Sequence, residues 1–253
     1  MDGDLPLGLR FVMKLRPSRV LFAAILFALV RVNAHAAGDP EIDRLLKKLP
    51  PPEKLVQADE RILRVTDPAM RDPLVKQISE ASRANKMKRS LELSQQLAAH
   101  YPSSAGPWTY CGLFALQLGR YAESAAAFRR ALAIQPKFVL CHYCLASAEW
   151  HLHNPAAALP HIRQVTKLEP RAAAGWAFLS ICAQTVGERA EGVSAAQHLT
   201  ALEPRQPAAW FRLAVAEQSV GNYAEASRAM NRAVYAARAA KAAAPKAAAK
   251  KKS

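Results

Sequence analysis

Apolar and small residues recur at a fixed interval of 34 positions over most of this chain. Within each interval their spacing predicts a first helix of roughly fifteen residues, a turn, and a second helix that ends just before a proline. The clearest marks are Pro102, Pro136, Pro170 and Pro204, and Trp108, Trp176 and Trp210, with His142 in the remaining aromatic slot. A period of this length is typical of stacked supersecondary units rather than of one globular core.

The period divides the chain into five units, 71–104, 105–138, 139–172, 173–206 and 207–240. Gly119, Gly187 and Gly221 fall between the predicted helices, where glycine permits the positive φ that ends a helix. In the unit 139–172, Asn154 before Pro155 predicts a capped start for the second helix. Pro160 lies inside that helix, so we expect a bend or loosening there.

These residues resemble the tetratricopeptide repeat, a helix–turn–helix whose pattern is W-x2-L-G-x2-Y, then A-x3-F, then P. The best-matching units are 105–138, with Trp108, Gly112, Ser124, Phe128, Ala131 and Pro136, and 207–240, with Trp210, Leu213, Ala214, Ala226, Met230 and Ala233. The resemblance covers about two-thirds of the chain. It implies an all-α, right-handed superhelical solenoid of about five units, stabilised by contacts between neighbours.

The chain begins with the features of a secretory leader. Arg10, Lys14, Arg16 and Arg19 precede the apolar run 20–30, and small residues follow at Ala34 and Ala36. The run has 11 residues, whereas a membrane span needs about 20. We therefore predict a cleaved signal peptide at 1–36, no stable membrane span in the mature chain, and a periplasmic or secreted protein. An uncleaved N-terminal anchor is the alternative.

Residues 37–70 and 241–253 flank the repeats and differ from them in composition. In the first segment the prolines at 50–52 separate two short helical patterns, the second over 53–65, so we predict a linker with capping helices. The second segment is rich in Ala and Lys. We expect the last helix to stop at Ala244, before Pro245, and 241–253 to form a disordered tail.

The net charge of +15 is concentrated at the two ends of the chain. Residues 1–36 carry a balance of +3 and residues 231–253 a balance of +7, which leaves +5 for the body. The basic character therefore says little about the repeats. It raises one alternative function, a polyanion binder that grips nucleic acid or an anionic envelope polymer through the Lys-rich tail. We do not expect nucleic acid to be the principal partner.

The sequence contains none of the motifs for phosphate cradling, dinucleotide binding, zinc proteolysis or a nucleophilic serine that would indicate an enzyme. We therefore predict a non-enzymatic protein without a cofactor. Cys141 and Cys144 form a C-x-x-C, but their helical unit lacks the strand of a thioredoxin-like motif. Cys111 occupies the Leu slot of its unit, so we favour buried core thiols over structural disulfides. His142, His151, His153 and His161 lie nearby, but their spacing matches no standard zinc site, and we predict no metal.

The family resemblance implies a concave groove lined by the first helices, at one, five, eight and nine residues after each Trp slot. Those residues include no Lys or Arg, which argues against a clamp for a C-terminal carboxylate. Their apolar, hydroxyl and amide side chains suit an amphipathic helix or an extended apolar peptide. The sixteen residues are Thr109, Leu113, Leu116, Gln117, Tyr143, Ser147, Trp150, His151, Ala177, Ile181, Gln184, Thr185, Phe211, Val215, Gln218 and Ser219.

We therefore expect a scaffold that binds a protein or peptide partner in a bacterial cell envelope. One further expectation concerns its C-terminal end, where Met230, Val234 and Tyr235 leave apolar surface uncovered by a following unit. Solenoids need a polar cap at such an end. We predict either self-association through this end or packing of the Ala-rich extension back onto it.

Overall fold

The computed structural model describes the backbone of residues 67–250 and the side chains of residues 67–239. The predicted signal peptide, most of the predicted linker and the last three residues lie outside the described residues. A short 3-10 helix, Pro68–Arg71, precedes the α-helices. These are α1 (Pro73–Arg83), α2 (Met87–His100), α3 (Ala105–Gln117), α4 (Tyr121–Ile134), α5 (Val139–His151), α6 (Pro155–Leu168), α7 (Ala173–Thr185), α8 (Arg189–Leu202), α9 (Pro207–Ser219) and α10 (Tyr223–Lys250).

Consecutive helices form antiparallel hairpins, and each hairpin packs on the next. The first helices α3, α5, α7 and α9 begin 34 residues apart, so we number positions within a hairpin from the first residue of its first helix. First helices of successive hairpins also touch, α3 against α5 and α7 against α9. Since the described residues form helices and no strand, the prediction of an all-α superhelical solenoid is confirmed.

In the four hairpins from α3 to α10, each turn uses one residue with positive φ, at position 15. Gly119, Gly187 and Gly221 have φ of 72°, 91° and 83°. In the α5–α6 hairpin His153 adopts the same conformation, with φ 59°, although a side chain makes it less favourable there. Asn154 follows and caps α6, because its side-chain oxygen accepts a hydrogen bond from Ala157 N–H at 3.3 Å.

The core runs along the stack as clusters shared by neighbouring hairpins. Phe128 of α4 packs in one cluster with Phe138 and with Leu145 of α5. Ile162 of α6 packs in the next with Phe178 and Leu179 of α7. Because each cluster draws on two hairpins, a hairpin buries its apolar face only against a neighbour, which is how repeat proteins obtain their stability.

In the α3–α4 and α7–α8 hairpins, the two helices approach closely at positions 8 and 20. A Cβ on Gly112 would lie 2.7 Å from the Phe128 ring, so no larger residue fits there without displacing the ring. Opposite it, Ser124 Oγ donates to the Gly112 carbonyl at 2.9 Å. In α7–α8 the pair is reversed, and Ser180 Oγ donates to the Gly192 carbonyl at 2.9 Å.

Two prolines lie inside helices. Pro160 lies within α6, which is helical over its full length. Likewise α10 continues through Pro245 to Lys250, so residues 241–250, expected to be disordered, are helical. Ala and Lys favour helix strongly, and the proline removes only one backbone hydrogen bond. In the described part of the chain, no helix combines the length and hydropathy needed to span a membrane.

Candidate functional site on the concave face

The structure places the sixteen predicted groove residues on the first helices at different depths. Thr109, Trp150 and Ala177 are buried, with 2 to 3% of their surface exposed. Gln117 is exposed, and the remaining twelve are half-buried. Buried members form the wall of the groove, while the half-buried ones present part of their side chains at its surface.

Aromatic side chains from two successive hairpins form the middle of this wall. The Phe178 ring meets the edge of Tyr143, with ring centroids 5.8 Å apart, and of Trp150, with centroids 5.9 Å apart. Edge-to-face contacts of this kind hold aromatic side chains in fixed positions. Burial raises the pKa of the Tyr143 phenol well above its usual value, so this tyrosine stays neutral at physiological pH.

Three hydroxyl groups of the groove are already engaged within their own helices. Thr109 Oγ1 donates to the Ala105 carbonyl at 2.8 Å, and Thr185 Oγ1 to the Ile181 carbonyl at 3.0 Å. Ser219 Oγ donates to the Ala216 carbonyl at 2.7 Å. Because their hydrogens are used, these hydroxyls can offer a ligand acceptor lone pairs only.

Arg212 is a site residue that the sequence reasoning missed. It lies at position 6 of α9, the position that Phe178 occupies in α7. Burial lowers its pKa to about 10, and Tyr143 acts in the opposite direction, so the guanidinium lies within electrostatic range of the Tyr143 phenol. No described carboxylate lies within 4.0 Å of it. The groove therefore contains a half-buried cation without a described anionic partner.

The four cysteines are buried in the hairpin contacts. Burial raises the pKa of Cys111 to about 12 and raises that of Cys182 as well. Thiols with such values stay protonated at physiological pH and react slowly. Cys141 Sγ lies 3.3 Å from Thr109 Oγ1, at the contact between α3 and α5. Their surroundings are those of core residues.

The four histidines expected near the cysteines do not gather at one point. His142 and His161 form a close pair, with Nδ1 atoms 3.2 Å apart. His151 stacks instead on Tyr121, with ring centroids 4.4 Å apart, and His153 lies in the exposed turn. Within the described residues, no three His, Cys, Asp or Glu side chains come close enough together to hold a metal ion.

His142 takes over a hydrogen bond that tryptophan makes in the other hairpins. The indole N–H groups of Trp108, Trp176 and Trp210 donate to the carbonyls of Pro102, Pro170 and Pro204 at 2.9, 2.7 and 2.8 Å. His142 Nε2 lies 2.9 Å from the Pro136 carbonyl, which can only accept. His142 Nδ1 is then an acceptor, and the Nδ1–H of His161 donates to it.

This geometry defines a class of protein, a solenoid of helical hairpins with one concave face. Two stretches, residues 75–137 and 207–239, match family models described as tetratricopeptide repeat. These two stretches of the chain are therefore tetratricopeptide repeats. No curated protein sequence matches it significantly.

Solved structures of low sequence identity share this fold. The MamA RS-1 ArsTM double mutant has a TM-score of 0.63 at 16% identity, over 67% of this chain and 95% of that one. MamA 41-end from Desulfovibrio magneticus RS-1 has a TM-score of 0.61 at 17% identity, over 66% and 94%. YrrB, described as a TPR protein with an unusual peptide-binding site, has a TM-score of 0.61 at 18% identity, over 71% and 92%.

Proposed function

We propose that the chain is a non-enzymatic scaffold whose concave face binds an apolar or amphipathic segment of a partner protein, with Arg212 pairing with a carboxylate of that segment. The observation that carries this proposal is the single half-buried guanidinium beside an aromatic wall, with no described carboxylate near it. A desolvated cation is costly without a counter-charge. A carboxylate on the partner would remove that cost.

The other groove residues support an apolar ligand. Tyr143, Ile181, Phe211 and Val215 are half-buried on three successive first helices, so their apolar surfaces follow one another along the concave side. Such a row matches the spaced anchors of an amphipathic helix or an extended peptide. YrrB, which shares the fold, is described as having a peptide-binding site. Tetratricopeptide repeat proteins are generally scaffolds.

We also propose that the protein works in a bacterial cell envelope, on the strength of the leader sequence at residues 1–36. Export would bring the groove into contact with periplasmic or secreted partners. Determination of the N-terminal residue of the mature protein from a membrane and periplasm fraction tests this location. A mature chain that begins near residue 37 supports it, and a cytosolic chain that keeps its leader contradicts it.

Selection of peptides from a random display library tests the groove without a known partner. We expect the full chain to enrich peptides with three or more apolar residues and one Asp or Glu. Arg212→Gln should reduce affinity for them by about tenfold, because a carboxylate loses its charged partner. Arg189→Gln, which removes an exposed cation from α8, is the matched control and should leave affinity unchanged.

The same selection separates the groove from the basic tail. Binding to the groove should depend only weakly on salt, whereas binding of a polyanion falls steeply between about 50 and 200 mM salt. Phe211→Ala should weaken the enriched peptides, and thermal melting would show that the variant is folded. Acidic peptides without apolar residues, bound equally by both Arg variants, would contradict the groove proposal.

A further inference from the structure

Neighbouring hairpins are joined by a polar contact that repeats along the stack. Its donors are Gln95, Arg129, Arg163 and Gln197, spaced by 34 residues on the second helices. Their acceptors, all in the next hairpin, are in turn Glu123 at 2.7 Å, Glu149, Glu191 at 2.9 Å and Glu217 at 3.3 Å. Position 25 of each hairpin therefore binds an acidic residue of the hairpin that follows.

Apolar contacts around this position form a seat for the next first helix. Phe128 of α4 packs against Leu145 and Ala148 of α5, while Tyr121 stacks on His151 at the end of the same helix. The seat therefore combines an apolar surface, an aromatic side chain and a hydrogen-bond donor. A first helix that carries an acidic residue at position 11, as α5 and α9 do, satisfies all three.

The last hairpin, α9–α10, presents the same seat to solvent. The residues equivalent to Tyr121, Phe128 and Gln197 are Tyr223, Met230 and Asn231. Together with Ala214, Gln218, Ala226 and Ser227 they line a cavity of about 240 Å³. Tyr223 is 70% exposed, and α10 runs on as one helix to Lys250. No described helix covers this face.

We propose that this terminal face, defined by the seven residues that line the cavity, binds an amphipathic helix of a partner protein whose acidic residue meets Asn231. The helix would take the place of a further first helix, with its apolar side on Met230 and Ala226 and its C-terminal end against Tyr223. The terminal face shares Gln218 with the predicted groove, but the interaction does not depend on the function proposed for the groove.

The charges of the chain favour a foreign helix over a second copy. If a second copy stacked head to tail, its first hairpin α1–α2 would have to supply the acidic residue. The positions equivalent to the acceptors are Ala81 and Arg89 in that hairpin, so it offers a cation instead. The terminal face already carries Arg232 on α10, next to an Arg228 that pairs with Glu225, and the like charges of Arg89 and Arg232 oppose such stacking.

A synthetic helix of known sequence tests the proposal with the full chain. The probe is a fluorescent, hydrocarbon-stapled peptide of residues 207–219, since α9 carries Glu217 in the required place. We expect saturable binding by anisotropy, about tenfold weaker for the peptide with Glu217→Lys. In the protein, Asn231→Arg should tighten binding about threefold to tenfold, because it recreates the Arg129–Glu149 pair. Gln164→Arg, the same kind of change on the exposed side of α6, should not.

Three results would overturn the proposal. The first is equal binding of the two peptides. The second is binding that Arg212→Gln abolishes and Asn231→Arg leaves unchanged, which would place the peptide in the groove. The third is a dimer of the chain in sedimentation velocity that Tyr223→Ala dissociates, which would assign the face to self-association. Thermal melting of Tyr223→Ala would show that its fold is intact.

Discussion

The α5–α6 hairpin and the three Trp-bearing hairpins fill the same space with different residues. Where the others place Trp at position 4 and Ala at position 23, α5–α6 places His142 and His161. The smaller ring at position 4 leaves room that the second imidazole fills, and the hydrogen bond to the preceding proline carbonyl is kept. The comparison shows that a hairpin requires a filled volume and a satisfied carbonyl at this point, and that either residue pair meets both requirements.

Exchange of the pair provides the strongest test of this equivalence. His142→Trp alone should lower the free energy of unfolding by about 2–3 kcal/mol, because the indole overlaps His161. His142→Trp combined with His161→Ala should recover most of that loss, to within about 1 kcal/mol of the parent chain. Urea denaturation of the two variants and the parent measures the coupling. If the double variant is as unstable as the single one, the two pairs are not equivalent.

The ion pairs between hairpins differ in how deeply their carboxylates are buried. We therefore expect their removal to lower the free energy of unfolding by different amounts. Glu149 keeps only 3% of its side chain exposed, whereas Glu191 keeps 30%. Arg129→Met would leave Glu149 buried without its cation and should cost about 2 kcal/mol. Arg163→Met removes two ion pairs whose carboxylates, Glu188 and Glu191, are more exposed, and should cost about 0.5 kcal/mol. Thermal or urea unfolding measures both values, and equal costs would contradict the role given to burial.

The histidine pair should make α5–α6 sensitive to acid in a way that a Trp-bearing hairpin is not. Burial lowers the pKa of His142. Burial, His142 and Arg129 together lower the pKa of His161 to about 4. In the unfolded chain both titrate near pH 6.5, so the unfolded chain binds more protons between these values.

Stability should therefore fall by about 1–2 kcal/mol as the pH drops from 6.5 to 4. Urea denaturation at several pH values measures this slope. The variant with His142→Trp and His161→Ala is the control and should show a shallower slope. An identical slope in the two proteins would assign the acid sensitivity to other groups.

A further small effect concerns positions 8 and 20. Ser124→Ala removes the hydrogen bond to the Gly112 carbonyl and should cost about 1 kcal/mol. The α5–α6 hairpin has Ala146 and Ala158 at these positions, so it manages without such a bond. Ala158→Ser is the converse change and should alter stability by less than Ser124→Ala does. Thermal denaturation compares the stabilities of the two variants. A larger effect of Ala158→Ser than of Ser124→Ala would contradict the role given to this hydrogen bond.

Periodicity predicted the fold because it records which residues share a position in successive hairpins. The Trp slot, the turn glycines and the Asn154 cap all follow from spacing and from local backbone preferences. Arg212 could not be found in this way, since it lies one residue after a predicted groove position and its depth depends on how α9 packs. The pairing of His142 with His161 could not be found from the sequence either, because the period gives positions along the chain and not the partner across a hairpin.

The central claim is that the concave face binds the partner. Hydrogen–deuterium exchange of the full chain, with and without a library-selected peptide, tests this claim most directly. We expect the peptide to slow exchange in the first helices α5, α7 and α9, around Tyr143, Ile181 and Val215. The second helices α4, α6 and α8 should exchange as in the free protein. Protection confined to those second helices, or to the basic end of α10, would contradict the account.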